Sequence, residues 1–215
     1  SEMCIRDSVV GGQARYTFYD ENSAGRMLRE SDLPELGDDV AAVLFGCINL
    51  IAEPCGSVYE TLMAREAPRR VMYLDPNIRE IFIADRQKHL ARMRRMIALA
   101  DIVKLSDEDL AWFAEPGEEH EVIRRWLALG PKLIVVTRGA DGADAWTADF
   151  HLHVPAIRVA VADTVGAGDT VNAGILASLS QAGLLEKEKL VTLSREQVRR
   201  AVDLGMRAAA VTVSR

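Results

Sequence analysis

From residue 41 onward, short runs with few polar residues alternate with segments of helical period, and this alternation limits the fold more than any other feature of the chain. AAVLF (Ala41–Phe45), RVMYLD (Arg70–Asp75), DIVKLS (Asp101–Ser106) and PKLIVVTRG (Pro131–Gly139) read as strands. Between them lie GSVYETLMAREA (Gly56–Ala67), with Ser57 as its expected cap, IADRQKHLARMRRMIALA (Ile83–Ala100) and EEHEVIRRWLALG, which Gly130 stops. A strand that is apolar throughout must be covered on both faces. The pattern therefore predicts an α/β fold, a mostly parallel sheet between two layers of helices. GADAWTADFHLHVPA adds two short strands around a turn, and GDTVNAGILASLSQAG and SREQVRRAVDLGMRAAAVTV add helices. ARYTFY (Ala14–Tyr19) alternates and is aromatic, as a strand does. The longest apolar run, Val40–Ala52, is interrupted by Gly46 and Asn49 and is too short to span a bilayer; it reads as a buried strand leading into a turn. In open sheets of this kind ligands sit beyond the carboxyl ends of the strands, which directs attention to Asp75, Ser106 and Thr137.

Charge narrows the partners. Lys and Arg number 26 against 32 Asp and Glu, a net charge of -6, which argues against nucleic acid or an anionic membrane surface. The basic clusters Arg86–Arg95 and Arg195–Arg200 read as solvated helix faces. Cys4, Cys47 and Cys55 are spaced as neither a disulfide framework nor a zinc site, which points to a reducing cytoplasm. His89, His120, His151 and His153 lack metal-ligand spacing, and His151 and His153 read as surface residues on one strand face. SEMCIRDSVV carries no secretory pattern, and residues 1–10 read as a non-native, adapter-derived N-terminus ahead of one domain over 11–215.

The chemistry concentrates in DTVGAGDT (Asp163–Thr170). A helix start offers unpaired N–H groups and partial positive charge. Small residues at Gly166, Ala167 and Gly168 let an anion approach those groups. Asp169 would repel that anion, but phosphoryl transfer also needs a group that orients and deprotonates the attacking hydroxyl. A bare GxGD also fits a glycine-rich turn followed by an ordinary first-turn acid. No Walker lysine follows it.

DTVGAGDTVNAG in full resembles the C-terminal signature of the ribokinase-like (PfkB-type) carbohydrate kinases, with Asn172 at a family Asn and Val171 in place of a common Phe. ARYTFYDENSAGRML, FGCINLIAEP, LDPNIR, DIVKLSDEDLAWF and VVTRGADGADAW extend the resemblance, closest to the fructose-phosphorylating members, over most of the chain from about Gln13. The resemblance implies a three-layer αβα sandwich with part of a small β lid near residues 13–20. It implies Asp169 as catalytic base and the amides of Gly166, Ala167 and Gly168 as an anion hole. It places Asn77 and Arg79 near substrate and phosphate, Tyr16 and Phe18 on the lid over the sugar, and Thr137, Gly139 and Gly142 at ATP. Ser106 and Asp109 stand where the family has an NxxE pair that organises Mg²⁺ through water; a helix cap with a first-turn acid reads equally well. Asp163 and Thr164 adjoin a site for a monovalent cation such as K⁺, and AVTVSR matches a strand near the adenine pocket.

The implied reaction is transfer from ATP to a sugar primary hydroxyl, fructose giving fructose 6-phosphate, in a cytoplasmic enzyme that pairs through its lid as a homodimer. 2-Keto-3-deoxygluconate kinase, another sugar or nucleoside kinase, and a non-catalytic nucleotide- or sugar-binding module are the alternatives. The family's N-terminal portion, with its first sheet strand and an Asp-Gly sugar contact, has no counterpart in the pattern, so truncation at both ends is expected.

Overall fold

The computed structural model describes the backbone of residues 4–10 and 13–215, and the side chains from Asp20 onward apart from Cys47. Strands β1 (Cys4–Val10) and β2 (Gln13–Tyr19) pair antiparallel as a separate two-stranded sheet. The central sheet holds β3 (Ala42–Gly46), β4 (Val71–Asp75), β5 (Ile102–Ser106), β6 (Leu133–Thr137), β7 (Ala143–Trp146) and β8 (His151–Val154), in that spatial order. The first four run parallel, and β7 and β8 turn back antiparallel.

Alternation along each strand explains the layers. On β4, Met72 and Leu74 enter one core while Val71 and Tyr73 enter the other; on β6, Ile134 and Val136 oppose Leu133 and Val135. Helices α1 (Cys55–Glu66), α2 (Arg86–Leu99), α3 (Asp107–Trp112) and α4 (Glu119–Leu129) lie towards the first core, which receives Met63, Met93 and Ile123. The second core is closed by α5 (Ala167–Gln181), α6 (Lys187–Leu190) and α7 (Arg195–Val213), with Ile175, Leu190 and Val202 fully or almost fully buried. Helices α5 and α7 meet backbone to backbone at Gly174 and Gly205, where a Cβ on Gly174 would lie 2.5 Å from the Gly205 Cα. The three-layer sandwich follows.

Several expectations need correction. Val40–Ala52 does hold a strand that leads into a turn, β3 followed by a 3₁₀ turn (Cys47–Leu50), but the strand is not buried throughout: it lies at the end of the sheet, and Leu44 is 45% exposed. Ser57 does not cap α1. It lies inside the first turn, and the Glu53 carboxylate accepts its amide at 3.3 Å and its hydroxyl at 2.8 Å. AVTVSR is no strand, because α7 runs through to Val213. The cluster Arg86–Arg95 is only partly solvated, since Arg92 is buried and donates to the Leu50 carbonyl at 2.8 Å.

His89 is buried in the same region with neither ring nitrogen partnered. Burial, together with nearby Arg92, holds its pKa at about 4 against an ordinary 6.5; the Leu50 carbonyl works the other way but is taken by Arg92. The folded chain therefore keeps this ring neutral where the unfolded chain protonates it. Its contribution is fully present above pH 6.5 and is lost as pH falls towards 4, by roughly 3 kcal/mol at the limit. His89→Leu should raise stability by about 1–3 kcal/mol at neutral pH, because an unsatisfied buried polar group is removed. It should also flatten the loss between pH 6.5 and 4. Denaturant unfolding across that range checks both.

Candidate active site

The carboxyl ends of the parallel strands bring Gly46 beside Asp75 and Ser106 beside Thr137. Facing them, α5 begins at a left-handed Gly166, φ 77°, a conformation that glycine adopts without steric cost. Thr170 makes the first helical bond, its amide and hydroxyl donating to the Gly166 carbonyl at 2.9 and 2.7 Å. Among the described residues no acceptor takes the Gly166, Gly168 or Asp169 amides, whereas the Ala167 amide donates to the Thr164 carbonyl at 3.2 Å. Asp169 is exposed, with no partner on its carboxylate among the described residues.

Beneath this helix start lies a charge that the motifs did not reveal. Lys104 projects from β5 and is 4% exposed; its Nζ donates to Asp75 Oδ2 at 3.1 Å. A Cβ on Gly168 would stand 2.9 Å from the same Nζ, so glycine here permits the helix start to rest over the ammonium group. Asn172, one turn after Asp169, donates to Asp75 Oδ2 at 2.7 Å and accepts from the Tyr73 hydroxyl at 3.0 Å. Asp75 Oδ1 is buried without a partner. Burial pushes the Asp75 carboxyl above the usual carboxylate range, against the opposing pull of Lys104 and Asn172. A lysine in the middle of an apolar strand was the available signal, because such a residue is buried only when paired.

Two cavities meet at this point. One, of about 290 Å³, is bordered by Gly46, Asn49, Asp75, Asn77, Asp169 and Asn172. The other, of about 690 Å³, is bordered by Asn77, Arg79, Lys104, Thr137, Thr164 and Gly168, with Ser106, Glu108 and Asp109 along one rim. Asn77 borders both, at φ 41°. The consecutive residues Gly168 and Asp169 face one cavity each. Gly168, Lys104 and Arg79 thus border one cavity together with the carboxylates of Glu80, Glu108 and Asp109, and the free Asp169 carboxylate borders the other.

The structure brings together Asn77, Arg79, Asp109, Thr137, Gly168 and Asp169 from four separate stretches of sequence. Ser106 and Asp109 form the capping box of α3. Gly139, φ 52°, opens to free space, but Gly142 is buried, and a Cβ there would collide with the Val154 carbonyl; it shapes the chain rather than a ligand surface. Asp163 accepts the Val165 amide at 3.0 Å and closes the loop before Gly166. The side chains of Tyr16 and Phe18 lie outside the described residues. His151 and His153 are exposed as expected, and both contact Asp144 Oδ1, at 2.9 and 3.1 Å.

A helix start with unpaired amides, flanked by an exposed acid, thus stands at the carboxyl edge of a three-layer α/β sheet, the edge where sheets of this kind hold their ligands. The sequence profile of the pfkB family carbohydrate kinases matches residues 8–215, and the chain belongs to that family. A fructokinase of Rhizobium leguminosarum bv. trifolii is 53% identical over 195 residues, which are 91% of this chain and 60% of that protein. The crystal structure of a Vibrio cholerae fructokinase with fructose, ADP and calcium ion bound aligns with a TM-score of 0.79 at 27% identity, covering 93% of this chain and 63% of that one. An aminoimidazole riboside kinase from Salmonella enterica, complexed with aminoimidazole riboside and an ATP analogue, aligns at 0.79 and 25%, covering 93% and 65%. The chain spans about 60% of the length of the curated relative named above. Among the described residues no helix is long and apolar enough to cross a membrane.

Proposed function

We propose that the chain carries the phosphoryl-transfer site of an ATP-dependent sugar kinase that converts fructose to fructose 6-phosphate. The observation that supports this best is the division at Gly168 and Asp169 between a larger cavity that carries Lys104 and Arg79 with an acidic rim and a smaller one in which Asp169, Asn49, Asn77 and Asn172 face apolar side chains such as Phe45 and Leu62. The phosphates of ATP occupy the larger cavity, against the Gly166 and Gly168 amides, Lys104 and Arg79; Thr137 and Gly139 extend along the nucleotide. The sugar occupies the smaller one, with its primary hydroxyl at Asp169. Asp169 takes the hydroxyl proton as that oxygen bonds to the γ-phosphorus. The bond from the γ-phosphorus to the bridging oxygen breaks, and ADP leaves with the electron pair. The amides and Lys104 stabilise the charge that gathers on the transferred group.

The exposed Glu108 carboxylate on the rim of the larger cavity suits a divalent cation carried on the nucleotide, since it offers hard oxygen donors beside the phosphates, whereas both oxygens of the neighbouring Asp109 are taken by backbone amides. Mg²⁺ held there would supply neutralisation of phosphate charge. Asp163 and Thr164 adjoin the place of a monovalent cation such as K⁺. The reading includes a cytoplasmic enzyme and a homodimer paired through the lid strands.

The test is ADP release from MgATP with fructose, 2-keto-3-deoxygluconate, ribose and adenosine compared side by side. Release driven by fructose is expected. Release driven only by another acceptor would reassign the substrate; after no release with any, the same assay on a chain extended at both ends decides, and no release there would favour a nucleotide- or sugar-binding module.

A further inference from the structure

The family pattern directs the acid at position 109 towards the metal, yet its surroundings in this chain are those of a clamp. Asp109 is 7% exposed. Its Oδ1 accepts the Ile78 amide at 2.8 Å and its Oδ2 accepts the Ser106 amide at 3.0 Å. The Ser106 hydroxyl in turn accepts the Asp109 amide at 3.0 Å. Both carboxylate oxygens are therefore held by fixed backbone donors, bonds of the strong, charge-assisted kind. The turn they hold is a strained one. Ile78 follows Asn77, a non-glycine at φ 41°, and such a conformation persists only where its surroundings impose it. Asn77 borders both cavities and Arg79 borders the larger.

Glu108 differs in each respect. It is exposed, borders the larger cavity, and its carboxylate has no partner among the described residues. Magnesium on a nucleotide keeps several waters and takes one or two carboxylates. Glu80, next to Arg79 in the chain, borders the same cavity.

We infer that Asp109 is a positioning residue that fastens the Asn77–Arg79 turn to the start of α3, and that Glu108 presents the carboxylate that faces the metal. The Glu108 half rests on the kinase reading; the clamp does not.

Mn²⁺ binding in the presence of ADP, followed by the electron paramagnetic resonance of free Mn²⁺, is measured for the full chain and for Glu108→Gln, Glu80→Gln and Asp109→Asn. Hydrogen exchange of the Ile78 amide and the Asn77 side-chain amide resonances are recorded by NMR on the same proteins. Glu108→Gln should weaken Mn²⁺ about tenfold or more, since loss even of an outer-shell partner of a metal site typically costs about 10–100-fold, with Ile78 exchange unchanged. Asp109→Asn should weaken Mn²⁺ less than Glu108→Gln does. It should also release the Ile78 amide to exchange and shift the Asn77 resonances, because the carboxamide nitrogen cannot accept the second amide.

The inference is overturned if Asp109→Asn weakens Mn²⁺ about tenfold while Ile78 stays protected, or if Glu80→Gln rather than Glu108→Gln carries the loss. A wild-type chain that binds no Mn²⁺ with ADP overturns the Glu108 half and counts against the kinase reading. Loss of Ile78 protection in Asp109→Asn upholds the clamp in either case.

Discussion

Replacing Asp169 by Asn is expected to cut fructose-dependent ADP formation by about 10²–10⁴-fold, the range for loss of a general base. The carboxylate is exposed and bonded to nothing among the described residues, so its removal costs the fold little. MgATP binding should persist, because Gly168, Lys104 and Arg79 border the other cavity. Steady-state turnover and equilibrium nucleotide binding, measured on the same protein, separate the two effects. Undiminished turnover would remove Asp169 from its role as base.

The second large effect is structural first. Lys104→Met should destabilise the chain by about 3–5 kcal/mol at neutral pH, because it leaves the buried Asp75 carboxylate with Asn172 as its one remaining donor. The sign of the pH dependence follows from Asp75. Its carboxyl is already raised by burial, and loss of Lys104 raises it further. The folded variant then binds a proton more tightly than the unfolded chain does. The defect should be greatest at neutral pH and should shrink as pH falls through the carboxylate range and Asp75 becomes protonated. Adding Asp75→Asn should recover part of the loss at neutral pH. Urea unfolding of the single and double variants at several pH values measures this, and a defect that does not depend on pH would contradict it.

Much of this architecture is legible in the sequence because burial on two faces leaves a plain mark. VMYL and LIVV carry no polar residue, and each sends alternate side chains into opposite cores. The start of α5 is equally legible, since only small residues suit a left-handed turn and a helix resting over Lys104. Other features are not. Val43 and Leu44 look as apolar as a central strand, and apolarity alone does not say that β3 has a neighbour on one side only. The β-branched residues of AVTVSR suggest a strand, but packing of α7 against α5 overrides local preference. Gly139 and Gly142 are alike in sequence, and only the fold shows that one opens to space and the other packs under β8. Lys104 and Asp75 find each other across two strands, a pairing that no local motif encodes.

The central claim is that phosphate and acceptor hydroxyl occupy opposite sides of the Gly168–Asp169 step. Amide chemical shifts of the uniformly ¹⁵N-labelled chain, titrated separately with MgADP and with fructose, test it most directly. The nucleotide should move Gly166, Gly168, Thr137 and Arg79, while fructose should move Gly46, Asn49 and Asn172, and Asn77 should respond to both. Nucleotide shifts confined to the Gly46–Asn49 side, or absent from Gly166 and Gly168, would contradict the account.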